Sequence, residues 1–157
     1  MRGLSEPKAQ STISVVHSAE LSSETQQTPG SLRMSAIAAT HGIASSLWAG
    51  IFVVEPSAKT GIHHHGEQDT IVYVLEGEAT LVTDAGEFVL GPGMAAGFPA
   101  GRPDGHHLIN RGTRPVHYLE IGTRAATEEA HYSDIDLMGR KRDGVFSFLH
   151  KNGEPYP

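Results

Sequence analysis

The stretch Gly61 to Gly77, GIHHHGEQDTIVYVLEG, limits the fold more than any other part of the chain. Three consecutive histidines enter a short polar turn, Gly66 to Asp69, and leave it through Thr70 to Leu75, a β-branched and aromatic run that stops just short of a glycine. Such a run favours an extended strand, and the turn before it lets that strand double back beside the histidines. Residues two apart on a strand share a face, so His63 and His65 can aim two imidazoles at one point while His64 faces away. Imidazole suits zinc, copper, iron and nickel, and a carboxylate such as Asp69 or Glu67 extends the set to manganese. Taken alone, the histidines would read better as a solvated loop.

A second cluster changes that balance. Gly91 to Asn110, GPGMAAGFPAGRPDGHHLIN, again carries adjacent histidines, His106 and His107, into an apolar run, and two such clusters on separate strands can complete one site. The segments around them are strand-like as well. Leu47 to Val54 places Trp48 and Phe52 on one face, Glu78 to Asp84 and Glu87 to Leu90 flank a hairpin turn at Ala85-Gly86, and Met94 to Phe98 is small and apolar, fit to line or underlie a cavity. Val116 to Ile121 separates His117, Leu119 and Ile121 from Val116, Tyr118 and Glu120, which allows His117 into the cavity, although a hydrogen-bonded barrel histidine is the preferred reading. Short strands at even spacing, without persuasive helical periodicity, imply an all-β barrel or sandwich.

The two histidine stretches resemble the paired motifs of the cupin superfamily, over roughly Leu47 to Thr123. In the first motif a glycine precedes H-x-H, a glutamate follows, and a glycine closes the segment; here Ser57 stands at the first glycine and the glutamate is missing. Asp69 is the preferred replacement as an anionic oxygen ligand, with Glu67, Gln68 and Thr70 as alternates. In the second motif Pro99-Ala100-Gly101 fits, and counting back from Asn110 gives His106 as the ligand, with His107 its rival. The resemblance implies a single-domain double-stranded β-helix, or jelly-roll barrel. It implies one divalent metal, zinc, iron, nickel or manganese, on His63, His65, Asp69 and His106. It also implies a small oxygenated organic ligand, and an activity among dioxygenases, isomerases, cyclases and decarboxylases. The HHHGE core is similar to that of cupin polyketide cyclases, and the YSDIDL and FLHKNGEPYP segments resemble the C-terminal extension of some bacterial cupins. A non-enzymatic cupin that binds or senses a small molecule is the alternative.

The rest of the chain sets bounds on these readings. Its 157 residues suit one domain, divided into a frayed terminus over 1–11, a barrel over 12–123 and a packing extension over 124–157. Ile13 to His17 reads as an edge strand and Ala19 to Gly30 as a polar connection. The absence of cysteine excludes thiolate metal sites and Cys-based catalysis. A net charge of −6 argues against nucleic acid, and with no apolar span or signal core a soluble, cytoplasmic protein without membrane partners is expected. An edge-forming N-terminal segment and the aromatic Trp48 and Phe52 face suggest a homodimer.

Overall fold

Alternating burial along three strands builds the barrel. In β3 (Leu47–Val54) Phe52 and Val54 are buried, and in β5 (Thr70–Glu76) Thr70, Val72 and Val74 are buried. In β10 (Val116–Thr123) the buried residues are Val116, Tyr118 and Gly122. This period of two gives each strand one face for the core and one for the outside. The structure, a computed structural model, describes residues 23–26, 32–36 and 46–157. No helix occurs among them, hence none long and apolar enough to cross a membrane.

The remaining strands are β1 (Ser23–Gln26), β2 (Leu32–Ala36), β4 (His63–His65), β6 (Ala79–Thr83), β7 (Gly86–Leu90), β8 (Ala95–Phe98), β9 (His107–Ile109), β11 (Glu128–Tyr132), β12 (Leu137–Arg142) and β13 (Val145–Leu149). One antiparallel sheet has the order β1-β2-β3-β10-β5-β8. The other wall is made of β13-β12-β11-β4 and β7-β6-β9, joined where His63 bridges to His106 and Lys59 to Ile109. The core between the walls includes Phe52, Val74, Leu81, Leu90, Leu108 and Tyr118, with the Phe52 and Tyr118 rings stacked 5.2 Å apart. Burying each such side chain stabilises the fold by about 1.5–3 kcal/mol.

The turns explain two motif positions. Gly77 has φ of 80°, and a Cβ there would meet the Pro115 carbonyl oxygen at 2.7 Å, so the position requires glycine. Ser57, at the position where the family pattern has glycine, also lies in the left-handed region with φ of 66°. Asn110 is fully buried; its amide donates to Val54 O and Arg114 O, both at 2.8 Å, and its Oδ1 accepts the Gly112 N–H at 2.9 Å. The motif asparagine thus ties a turn to the barrel.

Several expectations are revised by this architecture. The connection read over Ala19 to Gly30 contains β1, while residues 1–11 and Ile13 to His17 lie outside the described residues. Trp48 and Phe52 turn into the barrel and are not an exposed dimer face. The C-terminal extension contributes β11, β12 and β13, and β11 hydrogen-bonds directly to the histidine strand β4.

Candidate metal centre

Strand pairing brings three imidazoles onto one face. His63 and His106 are direct cross-strand partners, with His63 N–H donating to His106 O at 3.2 Å and His106 N–H to His63 O at 3.0 Å. Directly opposed residues share a face, and so does His65, two residues on from His63. The His63 ring centroid lies 5.0 Å from that of His65 and 5.1 Å from that of His106. Two imidazoles bound to one ion at roughly 2.1 Å would place their centroids about 4.6–5.3 Å apart for angles near 90–110°. Among the described residues, no three His, Cys, Asp or Glu side chains as they stand close on a single point. The His63–His65 and His63–His106 spacings fall within that range.

The other ring nitrogens fix the tautomers. His63 Nδ1 lies 2.9 Å from Gly61 O, His106 Nδ1 3.2 Å from Asp104 O, and His65 Nδ1 3.2 Å from Glu128 Oε1. Carbonyl oxygens only accept, and the carboxylate accepts as well, so each Nδ1 carries a proton and Nε2 is the nitrogen turned away from these acceptors. Burial lowers His63 to about 3, with the neighbouring His65 adding to the effect, and lowers His106 to about 4. Both rings are thus neutral at pH 7, the form that ligates metal.

Glu128, at the start of β11, supports the centre from behind. Its carboxylate is 2% exposed and accepts N–H groups from His65 Nδ1, from Gly66 at 3.0 Å and from Glu67 at 3.2 Å. No Lys or Arg pairs with it among the described residues. A fully buried carboxylate held by neutral donors costs several kcal/mol unless a cation lies nearby.

The carboxylate expected at Asp69 is not in this place. Asp69 is exposed; its Oδ1 accepts the Ala100 N–H at 2.8 Å, and it does not line the cavity. Burial alternates from Glu67 to Thr70, so Gln68 and Thr70 face inward and the two acids outward. Gln68 lines the cavity, where its Oε1 accepts the Trp48 indole N–H at 3.1 Å. Glu67 instead caps the Glu129 N–H at 2.9 Å, and Thr70 Oγ1 is buried without a hydrogen-bond partner. His64 stacks on His131 on the outer face, with centroids 5.0 Å apart. His107, next to the inward His106, has a buried and unpartnered Nδ1 and feels Lys59, Asp134 and Arg111.

The histidines open onto a cavity of about 340 Å³ whose wall includes Trp48, Gln68, Glu120, Tyr132, Phe146 and Phe148. Burial raises the Glu120 carboxyl to about 7 and pushes up the Tyr132 hydroxyl, to which the Glu120 charge contributes. No hydrogen bond reaches the Glu120 carboxyl among the described residues, which leaves it free to exchange a proton. His117, weighed as a possible cavity residue, is on the outer face of β10. Tyr118 and Glu120 face inward because their positions pair with core-facing Phe52, Gly50 and Val72. Alternation grouped Glu120 with Val116 and Tyr118, and that was the available signal for it. Glu128, Phe146 and Phe148 had none, since their place depends on how the extension pairs.

A family model described as the cupin domain matches residues 50–122. A solved protein from Silicibacter pomeroyi, described as a sugar phosphate isomerase from a cupin superfamily, is 34% identical, with 92% of this chain and 97% of that one covered and a TM-score of 0.82. The polyketide cyclase RemF from Streptomyces resistomycificus is 27% identical over 71% of this chain and 80% of its own, with a TM-score of 0.63. A Thermotoga maritima protein described as a predicted oxalate decarboxylase is 19% identical over 71% of this chain and 100% of its own, also at 0.63, a likeness of fold alone. Comparison with the curated proteins found no match. An antiparallel jelly roll with histidines from two paired motifs defines the class, and the chain belongs to the cupin superfamily.

Proposed function

We propose that the chain is a metal-binding cupin that acts on a small oxygenated organic molecule by relocating a proton within it. The observation that carries this reading is the common tautomer of His63, His65 and His106, each Nδ1 held by an acceptor and each Nε2 free for an ion. Three imidazoles without a carboxylate suit zinc, nickel or iron better than manganese. Bound there, the ion would supply Lewis-acid polarisation of a substrate carbonyl or enol oxygen.

The chain's own groups would do the rest. Glu120, its carboxyl raised to about 7 by burial, can take a proton from a substrate carbon next to an oxygen and return it at another carbon. Glu128 holds His65 in one tautomer, and Gln68, fixed by Trp48, offers a polar side chain to the substrate. Isomerase and cyclase are the activities described for two of the neighbours, and enolisation of a carbonyl compound by such a proton transfer can begin either. Metal content of untagged protein tests the centre: His63→Ala and His65→Ala should lose metal and His64→Ala keep it, and equal loss in all three would overturn the assignment. Deuterium uptake from solvent into β-diketones, phenolics and keto acids tests the chemistry. Binding without exchange would favour the second reading, a non-enzymatic ligand-binding cupin, for which neutral Gln68 in place of an anionic ligand is the supporting observation.

We also propose a homodimer, through the outer face of the six-stranded sheet. Ile71, Tyr73 and Leu75 stand 50%, 41% and 40% exposed there on one strand, an apolar row that a second copy would cover.

A further inference from the structure

We infer that the ligand of this cavity is a planar ring compound bearing hydroxyl or ketone oxygens and no phosphate, held against a wall supplied by the C-terminal hairpin. The inference rests on the reading of the cavity as the substrate site and narrows the class of molecule it takes.

The first ground is where the aromatic residues went. The chain has 5 Phe, 4 Tyr and 1 Trp, and all but Tyr73, Phe88 and Tyr156 line this one cavity. Phe52 and Tyr118 are spent on the core, and Phe98 stacks on His106 with centroids 3.6 Å apart. Phe146 and Phe148 are not needed in that way. They stand 49% and 40% exposed, in an edge-to-face pair 5.3 Å apart, yet face the cavity. Exposed paired phenyl rings at a cavity wall suit a ligand that presents a ring to them.

The second ground is register. His65 pairs with Ala130, Ala130 with Gly139, and Gly139 with Phe148, so an imidazole and a phenyl end one cross-strand row with the two smallest side chains between them. Three strand spacings make that row roughly 14 Å from backbone to backbone. Gly139 also lets the Phe146 ring lie over the sheet, since a Cβ there would stand 2.5 Å from its Cζ. The result is a shallow trough from the metal centre to the phenyl pair, suited to one or two fused rings with an oxygen at the histidine end.

The third ground is charge. Among the described lining residues, Glu120 and Glu128 are the acidic groups and there is no Lys or Arg. Inside this cavity a phosphate would be desolvated opposite carboxylates, the Arg102 guanidinium lining instead an adjoining pocket that shares His65, Phe98 and His106. The S. pomeroyi protein is described as acting on a sugar phosphate. The cavity of this chain is built for a different partner.

Calorimetric titration of the metal-loaded protein tests the inference with 2-acetyl-1-naphthol, ribose 5-phosphate and inorganic phosphate as probes. The naphthol should bind at least tenfold more tightly than either phosphate, and Phe146→Ala/Phe148→Ala should weaken it tenfold or more with metal content unchanged. Equal or tighter binding of ribose 5-phosphate would overturn the inference. So would unchanged naphthol affinity in the double variant, and a change of oligomeric state without a binding loss would reassign the phenyl pair to a subunit contact. The metal reading fails separately: if His65→Ala leaves naphthol binding intact while the double variant weakens it, the aromatic wall stands and the metal anchor falls.

Discussion

Replacing Glu128 by Gln tests the metal reading at its most specific demand. The carboxylate accepts three N–H groups, His65 Nδ1 and Gly66 on Oε1 and Glu67 on Oε2, at 3.0–3.2 Å. An amide oxygen in the Oε1 position keeps the first two donors, but the NH2 then faces the Glu67 N–H, donor against donor. That unsatisfied contact costs about 1–3 kcal/mol. In metal-free protein, relief of a buried and uncompensated charge offsets part of this loss. With metal bound nothing offsets it, and losing a carboxylate that orients a ligand histidine lowers metal affinity by about 10–100-fold. The free-energy equivalent is about 1.4–2.7 kcal/mol. Competition against a chelating dye gives the affinity, and melting with and without metal gives the linkage. For a chain of this length the metal-dependent rise in Tm should shrink by roughly 4–8 °C, while the metal-free proteins melt close together. Unchanged metal affinity in Glu128→Gln would refute the argument that the buried carboxylate serves the centre.

Two further outcomes follow from the fold. Ser57→Gly should stabilise the protein by about 0.5–1 kcal/mol, because the left-handed backbone there is unfavourable for serine and free for glycine; a lower urea midpoint would contradict this. Light scattering should show twice the 16.8 kDa of one chain, and Tyr73→Lys with Leu75→Glu should give the monomer; a wild-type monomer would remove the dimer proposal.

The parts of the fold that could be read in the sequence are those governed by local rules. The run from Thr70 to Glu76, the hairpin at Ala85-Gly86 and the glycine at 77 each state their structure through β-branching or backbone freedom, and they became β5, the β6–β7 hairpin and a left-handed turn. The pairing of His63 with His65 followed from strand period alone. The carboxylate could not be found by that route, since the turn before β5 sets which of Glu67, Gln68 and Asp69 faces inward, and the turn is not periodic. Both His106 and His107 line the cavity, but it is His106 that lies beside His63, through a bridge across more than forty residues of sequence. Glu128 was hidden for the same reason: only the pairing of β11 with β4 brings a carboxylate of the extension under His65.

Acidification of the metal-free protein should lower its stability, with Glu120 hiding part of the effect. Burial takes His63 and His106 from 6.5 to about 3 and about 4, and raises Glu120 from 4.5 to about 7. As pH falls below 6.5 the unfolded chain protonates both histidines first, so each costs stability until its folded value is reached. Glu120 works in the opposite sense: the folded protein keeps a proton that the unfolded chain releases above 4.5, a contribution present in full below 4.5 and lost as pH rises to 7. Between those limits the histidines count two protons against one, so these groups give a net loss of about 1.4 kcal/mol per pH unit on acidification. Glu120→Gln removes the opposing proton, and the slope should steepen by about 1.4 kcal/mol per pH unit. Urea unfolding of chelator-treated wild type and variant, between about pH 5 and 6.5, reads both slopes directly. Equal slopes would mean that Glu120 is already ionised in the folded protein at pH 6, and it could then no longer be the group that returns the proton to the substrate.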